Sequence, residues 1–128
     1  MSKKILIADD EPNIVISLEY LMKREGFEVS VARDGAEALQ MLRERKPDLV
    51  LLDAMMPKQT GFEVLQAIRA EQPKLMIVML TAKGRDTDIE KGRALGADDY
   101  VVKPFSTREL VDRVRQLLDL DQPAGDLA

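Results

Sequence analysis

Acidic, hydroxyl and basic side chains follow short apolar runs in this sequence, and together they could bind a metal ion and react beside it. They are Asp9 and Asp10 after Ile5–Ala8, Asp53 after Leu49–Leu52, Thr81 after Met76–Leu80 and Lys103 after Tyr100–Val102. If the runs are strands of one parallel sheet, these residues stand at its carboxyl edge, where open α/β sheets bind ligands. Three carboxylates gathered there would repel one another without a cation. The pattern therefore predicts a bound metal ion and an electrostatic role for Lys103.

Asp53 is the best candidate for a nucleophile, because a carboxylate can attack phosphorus and form an acyl phosphate. A single aspartate after a strand more often caps a turn, and only the partner residues favour the nucleophile. Asp9 and Asp10 could likewise cap the helix predicted to begin near Asn13. As metal ligands, the carboxylates suit Mg²⁺, which prefers oxygen ligands in octahedral geometry, although they are also compatible with Ca²⁺ in vitro.

Thr81 and Lys103 could bind a phosphoryl group carried by Asp53. A β-branched residue is expected in a strand, so Thr81 alone indicates little, but its hydroxyl could donate to a phosphoryl oxygen. The ammonium of Lys103, which precedes Pro104, could pair with ionised Asp53 and later with the phosphoryl group. Phosphoryl transfer depends mainly on positioning and charge neutralisation, so the site needs no separate general base.

The composition is typical of a soluble domain. The chain has 128 residues, 45% hydrophobic and 33% charged, which is enough for one core. A net charge of −4 argues against direct binding to nucleic acid. Cysteine and histidine are absent, which excludes disulfides and thiolate or imidazole metal sites. The apolar stretch after Lys3 and Lys4 is too short for a signal peptide or membrane span, so we expect a cytoplasmic protein without a membrane partner.

Short apolar runs alternate with amphipathic stretches, which predicts an α/β fold with a doubly wound, five-stranded parallel sheet. The predicted strands are Lys4–Ala8, Glu28–Ala32, Asp48–Leu52, Leu75–Leu80 and Asp99–Val102. The predicted helices are Asn13–Glu25, Gly35–Arg45, Gly61–Glu71, Asp86–Leu95 and Ser106–Leu118. We expect residues 1–120 to form this domain, whereas residues 121–128 lack an apolar period and predict a flexible tail or the start of a linker.

Four segments resemble the motifs of bacterial two-component response regulator receiver domains, and the resemblance extends from Lys3 to Leu118. The segments are Ile5–Glu11, Leu51–Pro57, Leu80–Ala82 and Lys103–Phe105. The resemblance implies the flavodoxin-like (βα)₅ fold of chemotaxis receivers, with strand order 2-1-3-4-5. It also implies a phosphoacceptor signalling switch that assists only its own phosphorylation and dephosphorylation, and is not otherwise an enzyme.

The same resemblance assigns roles to the site residues. By this resemblance, Asp53 is expected to be the phosphoacceptor. Asp10 and Asp53 are expected to bind Mg²⁺ directly, Asp9 to act mostly through water, and the backbone carbonyl of Met55 to be a further metal ligand. The backbone amides of Met55 and Ala82 hold the phosphoryl group.

A switch between two conformations is also implied by the resemblance. Thr81 moves toward the phosphoryl group, and Tyr100 turns inward to fill the vacated space. The peptide bond between Lys103 and Pro104 is expected to be cis, as is typical of the family.

The C-terminal part is most similar to receivers of the OmpR/PhoB type, which pair through helix 4, strand 5 and helix 5. Asp99, Glu109 and Arg113 match charged positions of this output face, so a homodimer formed on phosphorylation is among the expected partners. Ile89 stands where a basic partner for Glu109 is expected, which departs from that pattern. The implied phosphodonor is a sensor histidine kinase, and the signal passes to a downstream protein or a fused output domain.

Three other functions share part of this sequence pattern. An aspartyl-nucleophile phosphohydrolase needs a second aspartate two residues after the nucleophile, where this chain has Met55. A flavin- or nucleotide-binding protein shares the topology, but the loop Asp9–Pro12 is acidic and lacks the glycines that bind phosphate. A non-phosphorylated protein-interaction domain of the same fold would not need all five site residues.

Overall fold

Five strands and five helices alternate along the chain in the computed structural model, which describes residues 3–56, 60–82 and 86–118. The strands are β1 (Lys4–Ala8), β2 (Glu28–Ala32), β3 (Leu49–Asp53), β4 (Met76–Ala82) and β5 (Asp99–Lys103). The helices are α1 (Pro12–Arg24), α2 (Gly35–Arg45), α3 (Gly61–Glu71), α4 (Asp86–Ala94) and α5 (Thr107–Leu117). The predicted tail at 121–128 lies outside the described residues, so the domain limits stay a prediction.

All five strands are parallel and form one sheet in the order β2-β1-β3-β4-β5. This confirms the predicted fold class and strand order. β1 and β3 lie side by side, with Ala8 opposite Leu52, so the residues that follow both strands emerge at the same edge.

The core consists of two apolar layers, one on each face of the sheet. One layer joins Leu6, Val50 and Leu52 to buried side chains of α2 and α3. The other layer joins Ile5, Ile7, Leu49 and Leu51 to buried side chains of α1 and α5. Successive strand residues face opposite layers, which explains why these strands are apolar throughout instead of alternating with polar residues.

Several predicted strand ends were wrong by one or two residues. β4 was expected to end at Leu80, but it continues because Thr81 pairs with Val102 and Ala82 with Lys103. β3 begins at Leu49 instead of Asp48, whose carboxylate accepts a hydrogen bond from the backbone N–H of Lys4 at 2.8 Å. Thr81 therefore lies inside a strand, whereas Asp53 and Lys103 are the last residues of theirs.

Local sequence also fixes where helices begin next to the sheet. The Ser106 hydroxyl accepts from the N–H of Glu109 at 3.3 Å and caps α5. Gly61 begins α3 and donates to the carbonyl of Ala54 at 2.9 Å. A Cβ at Gly61 would clash with the carbonyl oxygen of Asp53, so glycine allows α3 to start directly beside the end of β3. Among the described helices, none combines the length and apolar character that crossing a membrane requires.

Candidate phosphoacceptor site

Three carboxylates converge at the carboxyl edge of the sheet, as the sequence predicts. Asp9, Asp10 and Asp53 each place one carboxylate oxygen within 4.8 Å of the others. Asp9 is fully buried and Asp53 is 7% exposed, whereas Asp10 is exposed. Asp10, Asp53, Met55 and Ala82 line one open cleft of about 220 Å³, so the residues of the predicted cradle share a single space.

Lys103 reaches this cluster from the end of β5, across the intervening strand β4. Its Nζ lies 3.1 Å from Asp9 Oδ2 and 3.5 Å from Asp53 Oδ1. The Lys103–Pro104 peptide bond is cis, which confirms that prediction. Lys103 Nζ also lies 4.0 Å from Glu11 Oε1, a contact that sequence analysis missed although Glu11 directly follows the two aspartates. One ammonium is thus placed among three carboxylates.

The electrostatics of Asp53 reflect this crowding. Burial and the neighbouring charge of Asp9 raise the pKa of Asp53 from its ordinary 3.8 to about 6, although Lys103 and the N–H of Met55 oppose the rise. Burial lowers the pKa of Lys103, but the charges of Asp53 and Asp9 outweigh it and raise that pKa overall. At neutral pH the cluster therefore carries more negative than positive charge.

Hydrogen bonds fix the orientation of two of the carboxylates. Asp9 Oδ1 accepts from the N–H of Glu11 at 2.9 Å, and its Oδ2 accepts from Lys103. Asp53 Oδ1 accepts from the N–H of Met55 at 3.3 Å. The Met55 side chain is 55% exposed, so this residue contributes to the cleft through its backbone while its thioether faces solvent.

Thr81 and Tyr100 line a second, small pocket of about 10 Å³ behind the cleft. Thr81 is 3% exposed, and its hydroxyl donates to the carbonyl of Ala82 at 3.5 Å. The Tyr100 hydroxyl accepts from Arg93 Nη2 at 2.7 Å. Sequence analysis did not single out Arg93. Asp88 in the first turn of α4 was missed as well, although it lines both the cleft and this pocket.

The charges of the predicted output face are paired within the chain. Arg113 Nη1 lies 2.7 Å from Asp99 Oδ1, and its Nη2 lies 3.7 Å from Glu109 Oε2. Asp99 begins β5 and Lys103 ends it, so this face is separated from the acidic cluster by the length of the strand.

Comparison with known proteins agrees with this geometry. The family described as "Response regulator receiver domain" matches residues 5–115. The alkaline phosphatase synthesis transcriptional regulatory protein PhoP of Bacillus subtilis (strain 168) is 48% identical over 118 residues. The match covers 92% of this chain but 49% of that protein, so the chain spans about half the length of this relative.

Solved structures show the same fold. A CheY-like response regulator receiver domain protein from Methanospirillum hungatei JF-1 superposes with a TM-score of 0.88 at 29% identity, covering 93% of this chain and 95% of that one. The receiver domain of NtrX from Brucella abortus gives a TM-score of 0.87 at 30% identity, covering 90% and 98%. With the match over residues 5–115, these findings show that the chain belongs to the response regulator receiver domain family of two-component systems.

Proposed function

We propose that Asp53 is the phosphoacceptor of this receiver and that a sensor histidine kinase is its phosphodonor. The observation that carries the proposal is the position of the Asp53 carboxylate, which lies beside buried Asp9 and 3.5 Å from the ammonium of Lys103. An aspartate that only capped a turn would not need the ammonium of a lysine on β5, which lies on the other side of β4. The arrangement suits a carboxylate that gains a doubly charged group.

The donor set fits Mg²⁺ as the cofactor. The clustered carboxylates are hard oxygen ligands, and the raised pKa of Asp53 indicates negative charge that a cation would offset. Both oxygens of Asp9 already accept hydrogen bonds, which supports Asp10, Asp53 and the Met55 carbonyl as direct ligands and Asp9 as a ligand through water. When bound, the ion would neutralise charge on the phosphoryl oxygens.

The proposed reaction is an in-line phosphoryl transfer. An oxygen of Asp53 bonds to phosphorus while the P–N bond of the kinase phosphohistidine breaks. The electron pair of that bond stays on the imidazole nitrogen, which takes a proton from water. Asp53 needs no base, because a group with a pKa of about 6 is mostly ionised at neutral pH. Lys103 and the amides of Met55 and Ala82 would hold the transferred oxygens, and hydrolysis would later release inorganic phosphate and restore the carboxylate.

Thr81 and Tyr100 are proposed to transmit the modification to the output face. The Thr81 hydroxyl would leave the Ala82 carbonyl, its 3.5 Å acceptor, for a stronger charge-assisted bond to a phosphoryl oxygen. Tyr100 would then turn into the pocket that both residues line. The ion pairs among Asp99, Glu109 and Arg113, which lie beside Tyr100 on β5 and α5, would then rearrange. The proposed consequence is a homodimer formed through these elements.

The downstream process is proposed from the Bacillus subtilis relative. That protein is described as a transcriptional regulator, and this chain matches about half of its length. We propose that the receiver controls an output domain that regulates transcription, either fused to it or on a separate protein.

The test is phosphorylation by acetyl phosphate in the presence of Mg²⁺, followed by intact-mass measurement. We expect a gain of one phosphoryl group in the wild type and none in Asp53→Asn. Borohydride reduction of the acyl phosphate, followed by peptide mapping, should place the modification at residue 53.

Asp48→Asn is the matched control, because Asp48 stands just before the opposite end of the same strand and should retain full labelling. A folded wild-type protein that no donor phosphorylates would contradict the proposal and favour a non-phosphorylated interaction domain. Labelling that persists in Asp53→Asn would assign the acceptor to another residue.

A further inference from the structure

Helix α4 is attached to the domain by little apolar burial. In Asp86–Ala94, the only buried residue is Gly92, where an added Cβ would meet Met79 Cγ at 3.5 Å. Helices normally dock through a stripe of large apolar side chains, and α4 lacks one. Other contacts must therefore contribute to its position.

Two cationic side chains of α4 lie on aromatic rings of neighbouring elements. Lys91 Nζ is 4.6 Å from the centroid of the Phe62 ring, which belongs to α3. The Arg93 guanidinium carbon is 4.7 Å from the centroid of the Tyr100 ring, which belongs to β5. Both distances are within the range of favourable cation–π interactions.

Arg93 makes a second contact that Lys91 does not match. Its Nη2 donates a 2.7 Å hydrogen bond to the hydroxyl of Tyr100. Arg93 thus engages both the face and the polar end of one ring. A rotation of Tyr100 away from its present position breaks both contacts together.

The Tyr100 ring borders the space into which it would turn. Thr81, Tyr100, Arg93 and Ile89 all line the same small pocket of about 10 Å³. If the ring moves toward Thr81 while Arg93 keeps its place, both Arg93 contacts are lost. The position of the ring and the position of α4 are therefore coupled through Arg93.

We propose that Arg93 is a positioning residue that holds Tyr100 in its resting orientation and so sets how much phosphoryl binding is needed to switch the domain. This inference rests on the proposed function of Asp53, Thr81 and Tyr100. It adds an inhibitory contact that the phosphoryl group must overcome. Removing Arg93 raises the inward fraction of Tyr100 in the unmodified protein.

The expected change in apparent affinity for a phosphoryl mimic follows from the fraction of the protein that is in the competent conformation. When only part of the protein is in the competent conformation, the apparent affinity for a ligand of that conformation falls by the same fraction. One hydrogen bond and one exposed cation–π contact correspond to a change of about five- to seventyfold in this equilibrium. Arg93→Gln should therefore lower the half-saturating concentration of beryllofluoride, a phosphoryl mimic, by about five- to seventyfold.

The experiment uses the two tyrosines of the chain. In a Tyr20→Phe background, tyrosine labelled with ¹³C at the ε positions gives the ring signal of Tyr100 alone. We expect Arg93→Gln to move this signal, without beryllofluoride, toward its position in the beryllofluoride-saturated protein. Arg93→Lys, which keeps the cation, should restore part of the wild-type position. If Arg93 only packed α4 against the domain and did not restrain Tyr100, we would expect neither the shift of the Tyr100 signal in Arg93→Gln nor its partial restoration in Arg93→Lys.

Lys91→Gln is the matched control, since it removes the same charge from the same helix but from a contact with Phe62. An equal shift in Lys91→Gln, or an unchanged Tyr100 signal in Arg93→Gln, would overturn the inference. Acetyl phosphate labelling of Asp53 is measured on the same samples. If the wild type is labelled and the Tyr100 signal does not respond to Arg93→Gln, the inference fails while the proposed phosphoacceptor stands.

Discussion

At the scale of single residues, the acidic cluster places functional charge where it opposes folding. Asp9 and Asp53 are both buried, and burial together with the charge of Asp9 raises the pKa of Asp53 to about 6. In the unfolded chain the carboxylates are solvated and separated, so neither burial nor mutual repulsion disfavours their ionised form. We therefore expect ionised Asp53 to lower the stability of the folded protein and to be present because of its chemical function.

The pH dependence of stability tests this directly. The pKa of Asp53 is higher in the folded protein than its ordinary 3.8, so the folded state binds more protons between about pH 4 and 6. The contribution of Asp53 becomes destabilising as the pH rises through this window. We expect Asp53→Asn to raise the free energy of unfolding by about 1–3 kcal/mol at pH 7. The gain should shrink as the pH falls toward 4.

Urea unfolding of both proteins at several pH values between 4 and 8 gives the measurement. Asp112→Asn on the exposed side of α5 is the control and should change stability little. A stabilisation by Asp53→Asn that is equal at every pH would contradict the assigned cause.

The acidic cluster could be predicted from the sequence because a single rule of sheet geometry places its residues together. Residues that follow parallel strands meet at one edge, and Asp9, Asp53 and Lys103 do so. The contacts of Glu11 and Arg93 could not be predicted this way, since they depend on side-chain rotamers and on how α4 lies over β5. Thr81 was placed after a strand but lies inside one, because pairing with β5 extends β4 beyond the apolar run.

At the scale of elements, a single arginine joins the ends of α3 and α4 to the strands. Arg69 Nε donates to the carbonyl of Gly96 at 2.8 Å, and its Nη1 donates to the carbonyl of Leu75 at 2.6 Å. Its Nη2 donates to Asp98, whose carboxylate also accepts from the N–H of Ile77. The C-terminal end of α4 is thereby attached to the start of β4, while the opposite end of the helix lies near the candidate site.

Replacing Arg69 should therefore lower the free energy of unfolding more than replacing an exposed arginine that also forms an ion pair. The side chains of Arg69 and Asp98 are 17% and 30% exposed, and Arg69→Met would leave backbone carbonyls and a part-buried carboxylate without this donor. We expect a loss of about 2–4 kcal/mol in the free energy of unfolding, measured with urea.

Arg43→Met is the comparison, because the Arg43–Glu71 pair also joins two elements but is 60% and 37% exposed. Its replacement should have little effect, since exposed ion pairs are screened by solvent. Comparable losses in the two variants would show that Arg69 acts as an ordinary surface charge.

At the scale of the whole molecule, negative charge is concentrated at one end of an already acidic chain. The net charge is −4, and Asp9, Asp10, Glu11 and Asp53 stand together at the carboxyl edge of the sheet. Lys103 is the cationic neighbour of three of them, Asp9, Glu11 and Asp53. Such a cluster attracts cations through the field of the whole protein as well as through direct ligands. Folding brings the carboxylates together, so a cation that binds the cluster binds the folded state and not the separated chain.

Mg²⁺ should consequently stabilise the protein against unfolding by mass action. At a free concentration about 100 times the dissociation constant, the expected gain is about 2.7 kcal/mol, visible as a rise in the thermal midpoint with added Mg²⁺. Asp10→Asn should abolish most of the rise, because Asp10 is the exposed carboxylate of the cluster and its loss leaves the buried Asp9–Lys103 pair intact. Asp112→Asn removes the same charge far from the cluster and should retain the rise. If both variants respond to Mg²⁺ as the wild type does, the ion acts by general screening and the carboxylates of β1 and β3 do not form its site.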